Sequence, residues 1–92
     1  DWKKAAEYWK RYTNDKNKNT ASKSMFNMAV VCEIENQTDA AIDWAVRSYH
    51  TSKESETAHR NICMDYINIL KRRKKEIEFI DYQLNPALKI RE

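Results

Sequence analysis

His59 and Cys63 stand four residues apart, which puts an imidazole and a thiol on one helical face. With Cys32 as a third candidate they are zinc-ligand types. A structural zinc site takes four ligands and usually a close Cys pair, which is missing here, so the residues read as satisfied surface or core and no metal is expected. Glu33 with Glu35, and Asp39 with Asp43, are carboxylate pairs at common spacings. Asp39 and Asp43 open a helix, where acids favour the dipole. Neither pair has a partner His or a nucleophile in a recognisable pattern, so no enzymatic activity and no cofactor is expected. Among 92 residues there is no Gly and a single Pro. That excludes Gly-rich phosphate loops and Rossmann fingerprints, and it disfavours tight primed hairpins.

The run Lys71-Arg72-Arg73-Lys74-Lys75 is the densest charge in the chain. Consecutive helix residues are turned by about 100°, so five of them encircle the helix and no single face holds them. They read as a solvated collar, or as a contact for anionic lipid, RNA or an acidic partner. Glu76, Glu78 and Asp81 follow at once and dilute the charge, and no second basic stripe with interleaved aromatics accompanies it. Nucleic acid is therefore not the expected partner. The net charge of +3 commits the protein to no polyanion, and no apolar stretch reaches the length of a membrane span.

The elements that must position these groups are helical, because helix formers are plentiful and turn formers scarce. Trp2, Ala5, Ala6, Trp9 and Tyr12 recur at helical spacing and predict a helix over residues 2–13, with Asp1 as N-cap. Residues 14–19 are polar and Asn-rich and read as a loop. A second helix is predicted over 20 or 21–35, its apolar face built by Met25, Phe26, Met28, Ala29 and Cys32. Asn36 then takes the left-handed position where Gly is usual. Thr38 caps a third helix over 39–52, with Ala41, Ile42, Ala45, Val46 and Tyr49 as its stripe. The connection of about three residues makes helices two and three antiparallel. From Ser55 the seam Ile62, Tyr66, Leu70, Arg73, Ile77, Ile80 and Leu84 predicts one long helix over 55–84, or a break near 72–75. Asn85-Pro86 ends it and 85–92 form a tail. The domain is thus 1–84. Cys32 and Cys63 make no disulfide framework and read as reduced and buried. The first residue is Asp, and the chain is read as a piece of a longer protein, so compartment is left open.

Sliding the chain by 34 places Asn27 on Asn61 and Val30 on Met64. Sliding by 36 places Ala5 on Ala41 and Tyr8 on Trp44. A period near 34 with two helices per unit is the tetratricopeptide signature. Residues 26–29 with 36–45 resemble such a repeat: Ala29 matches the small residue at the helix crossing, Asn36 the usual Gly turn, Ala41 the early Ala of the second helix and Ser48 its later small residue. Residues 1–9 resemble the second helix of a preceding unit, and 56–70 a following first helix. Lys75 stands where that following unit would need Ala, which favours a long cap. The whole is also similar to the repeat-bearing part of Bacteroidetes proteins, some of them envelope-associated.

The resemblance implies an all-α stack of antiparallel hairpins closed by a long C-terminal helix. It implies a concave surface that receives a peptide or protein partner. The positions that match groove positions are Lys23, Phe26, Asn27, Val30, Glu33 and Ile34 in one unit and Arg60, Asn61, Met64 and Ile67 in the next. Asn27 and Asn61 would bond a ligand's backbone amides, and Lys23 and Arg60 its carboxylates. The alternatives are a spacer, a docking surface for a preceding part of the protein using Trp2 and Tyr8, or self-association along the last helix.

Overall fold

The structure is a computed structural model that describes residues 1–84, and the expected stop at Asn85-Pro86 and the 85–92 tail lie outside the described residues. The described residues are all-α. Four helices follow one another: α1 Trp2–Lys10, α2 Lys18–Ile34, α3 Thr38–Thr51 and α4 Thr57–Leu84.

Local chemistry sets each boundary. The Asp1 carboxylate accepts from the Lys3 N–H at 2.9 Å and caps α1. α1 ends three residues short of the expected Thr13, because the chain tightens there into i→i−3 turns: Tyr12 N–H bonds Trp9 C=O and Thr13 N–H bonds Lys10 C=O. The Thr13 hydroxyl donates to the same Lys10 carbonyl at 2.9 Å and is buried. α2 starts earlier than expected, since the Asn17 side chain accepts from the N–H groups of Asn19 and Thr20. Its end is a Schellman motif. Asn36 has φ of 62°, Gln37 N–H bonds Cys32 C=O at 2.8 Å, and Asn36 N–H bonds Glu33 C=O at 3.0 Å. The expected Thr38 cap is displaced by one residue: Gln37 holds the cap position without a side-chain bond and Thr38 is already helical. α4 runs through Lys71–Lys75 without a break.

The core is built in three layers along α3, from Ser48, Ala45 and Ala41, all inaccessible to solvent. Ser48 meets Ser22 of α2 and Cys63 of α4. Ala45 packs with Ala29 and Ile67, and Ala41 with Cys32 and Leu70. Residue numbers rise along α2 and α4 while they fall along α3. α3 is therefore antiparallel to both neighbours, and α2 and α4 run parallel to each other. Ala29, Ala41, Ala45 and Ser48 admit this close approach because they bring no bulk to the crossing, and Trp44 and Tyr66 fill the space beside them. α1 packs on α2 and has no buried residue of its own.

The buried side of α4 meets the expected seam at Leu70 and, half-buried, at Tyr66, and departs from it elsewhere. Cys63, Ile67 and Leu70 are the buried residues, whereas Ile62 is 54% exposed and Ile77, Ile80 and Leu84 are all more than half exposed. A seam of alternating threes and fours fits two adjacent stripes on one helix, and the arrival of α3 selects the stripe through Cys63, Ile67 and Leu70.

Candidate functional site

The parallel α2 and α4 share a surface on the side away from α3. Phe26 on α2 meets the rings of Tyr66 and His59 on α4, with centroids 5.2 and 6.0 Å apart. Glu33 accepts the Tyr66 hydroxyl at 3.0 Å and forms an ion pair with Arg73. Burial first, and then the bond to the Glu33 carboxylate, hold the Tyr66 hydroxyl far above its ordinary pKa, so it stays a donor. Arg73, the polar interruption in the α4 pattern, is thus the partner of a carboxylate on another helix.

The candidate groove positions divide between two sides of α4. Lys23 is exposed on α2, and Phe26, Asn27 and Val30 are half-buried there. Helical spacing puts Lys23 with Val30, and Asn27 with Ile34, on the edge of the α2–α4 surface. Arg60 and Met64 lie on the α3 side instead. Arg60 donates to the Ser52 hydroxyl at 3.1 Å and to the Ser52 carbonyl at 2.7 Å, and its guanidinium sits 4.8 Å from the Tyr49 ring. It is spent on joining the end of α3 to the start of α4. Met64 lines a shallow hollow with Val46, Tyr49 and His50 of α3. Asn61 is exposed, and it falls seven residues before the exposed Asn68 rather than beside Tyr66. The α4 residues that share the Tyr66 side are Ile62 and Ile69, at 54% and 41% exposure. The seven-residue spacing of these two isoleucines was the signal for them, but repeat matching pointed one residue away.

His59 and Cys63 form one network with Ser48. The Ser48 hydroxyl gives its single proton to the Ser22 carbonyl at 2.5 Å. It must then accept from the His59 Nε2–H at 2.9 Å and from the Cys63 thiol at 3.5 Å. Burial and the Lys23 ammonium lower the His59 pKa, with Glu56 opposing, and burial raises the Cys63 thiol. These are the properties of a satisfied interior cluster with an unreactive thiol. Burial likewise raises Cys32, with Glu35 adding to it, and both cysteines are free. Among the described residues no group of three or more His, Cys, Asp or Glu is arranged to hold a metal ion.

The basic run is divided by its surroundings. Arg73 reaches Glu33 on α2, and Lys74 bonds Asp39 on α3 at 2.7 Å, which raises the Lys74 pKa. Lys71, Arg72 and Lys75 are exposed. Lys71, Lys74 and Lys75 share an open groove of about 510 Å³ with Asp39, Asp43 and Glu78, so its charges balance locally. Among the described residues no helix is long and apolar enough to cross a membrane.

No curated protein and no solved structure matches the chain. A family described as a domain of unknown function (DUF6340) matches residues 1–72, which take in the capped hairpin, its three core layers and the α2–α4 surface, and the chain belongs to that family.

Proposed function

We propose that this chain is a protein-interaction module of tetratricopeptide kind, with α2 and α3 as one hairpin, α4 as the opening helix of the next unit, and a peptide or protein partner received on the α2–α4 surface. The observation that carries this reading is the parallel pairing of α2 and α4 through Phe26, Tyr66 and Glu33, with large apolar side chains left in water beside it. Ile34, Ile62 and Ile69 are 42%, 54% and 41% exposed. Apolar residues flanked by Lys23 and Asn27 form a surface that can bury a partner's side chains while the Asn amide bonds its backbone. Of the groove positions, Lys23, Phe26, Asn27 and Val30 keep a place in this reading. Ile62 and Ile69 take the places of Arg60, Asn61 and Met64. Residues 73–84 extend the module as a scaffold arm.

A displayed library of random peptides, selected on the full chain, tests the reading. Binders should perturb the amide resonances of α2 and α4 around Asn27 and Ile62. They should lose at least tenfold in affinity on the Asn27→Ala/Ile62→Glu variant, whose melting temperature stays unchanged. Binders that map elsewhere, or that ignore the double variant, would sink it.

A further inference from the structure

The stripe of α4 that is buried against α3 does not stop where α3 stops. Cys63, Leu70, Ile77 and Leu84 recur every seven residues, and Ile80 falls beside the last two. The first two are inaccessible to solvent, whereas Ile77, Ile80 and Leu84 are 53%, 52% and 76% exposed. Lys74 pairs with Asp39 at the start of α3, and Ile77 and Glu78 border the same end of the body at Asn36 and Thr38. Beyond it α4 carries a coiled-coil pattern with no helix opposite among the described residues, and these residues lie past the span that the family covers.

Charge along this arm decides what fits it. Residues 71–75 are all cationic, and the next nine hold Glu76, Glu78 and Asp81 and no cation. A copy of the same arm laid parallel would put collar against collar. Laid antiparallel, it puts the cationic end of each arm across the acidic end of the other. With Ile77 facing Ile80 of the second copy, Lys74 falls opposite Asp81 of that copy, and symmetry makes the contact twice. Lys74 keeps its bond to Asp39, because an ammonium has three donors.

We infer that the exposed end of α4 is a homodimerisation arm, in which two copies of the chain pair antiparallel through Ile77 and Ile80, with Leu84 across from Arg73 of the second copy, and are set in register by Lys74 and Asp81. The apolar residues supply the association and the charges supply the orientation. The stripe from Lys74 to Leu84 is only about 15 Å long, so the dimer is a weak one, with a dissociation constant on the order of 10–100 µM.

Sedimentation velocity of the full chain across that range should show a monomer–dimer equilibrium. Ile80→Glu should weaken it at least tenfold at an unchanged melting temperature, since Ile80 is exposed. Asn27→Ala/Ile62→Glu, the variant that tests the peptide surface, should leave it intact. Orientation is read by disulfide trapping, in which the native cysteines are buried and do not compete. A mixture of Ile77→Cys and Ile80→Cys chains should cross-link faster than Leu84→Cys with itself, whose sulfurs would lie about 16 Å apart in the antiparallel register. A chain that stays monomeric across the range overturns the inference, as does an Ile80→Glu variant that associates equally well. Faster trapping of Leu84→Cys with itself overturns it too. Binding of the monomer to anionic vesicles would replace the second copy by a membrane.

Discussion

Ser48 stands where three helices meet, and its hydroxyl is fully committed: one proton donated to Ser22, two lone pairs taken by His59 and Cys63. Ser48→Ala fits the same space but removes the donor to the Ser22 carbonyl and the acceptor shared by His59 and Cys63, which keep only each other at 3.4 Å. Stability to urea should therefore fall by about 1–3 kcal/mol. His59 makes the same layer sensitive to acid. Burial and Lys23 lower its pKa below 6.5, so the unfolded chain takes up a proton that the folded chain refuses. Stability is complete above about pH 6.5 and is lost as pH falls from there toward the lowered folded value. Urea midpoints measured down to about pH 5 should decline, and His59→Gln should flatten that decline relative to the parent chain. The i, i+4 spacing made His59 and Cys63 visible as a pair in the sequence. Their third member, Ser48, was legible only as a small residue, because the bond that defines its role comes from a different helix.

At the scale of elements, the Asn36 turn was readable because its physics is local. Asn tolerates φ near +60°, and the two reversed hydrogen bonds need nothing from outside the turn. Asn36→Gly should leave the thermal midpoint nearly unchanged, while Asn36→Val should cost about 1–2 kcal/mol, since a β-branched side chain crowds the left-handed region. The end of α1 was not readable in the same way. Trp9 and Tyr12 keep helical spacing, and the early stop depends on Thr13 bonding back to Lys10 and becoming buried. The continuity of α4 through five cations was readable, since no breaker interrupts the run, but the partners of those cations were not. Glu33 and Asp39 take two of the charges, and Glu78, one turn on, favours the Lys74 cation.

At the scale of the whole molecule, α4 serves two environments along one stripe. Leu70 is sealed between Cys32 and Ala41, and Leu70→Ala should cost about 2–5 kcal/mol through the cavity it leaves. Ile77, one heptad on, borders only the start of α3 at Thr38 and stays 53% exposed. Ile77→Ala in the monomer should change stability by no more than about 0.5 kcal/mol. Chemical denaturation of both variants at low protein concentration measures the contrast directly. The resulting shape is elongated, 52 by 29 by 16 Å, because the body ends near Lys74 and the helix does not.

The sequence by itself determined that the chain is helical, where the α2–α3 turn falls, and that Ala29, Ala41, Ala45 and Ser48 line a close crossing. These follow from propensity, a single left-handed residue and side-chain size, all of which act within a few residues of chain. Only the tertiary structure decided which stripe of α4 is buried, that Arg60 works inside the fold, and that Glu33 gathers Tyr66 and Arg73 from another helix. A heptad-spaced helix offers two nearly equivalent apolar stripes, and the choice between them is made by the surface of α3 that docks against it. That same choice leaves the last three turns of α4 patterned for a neighbour that is absent among the described residues.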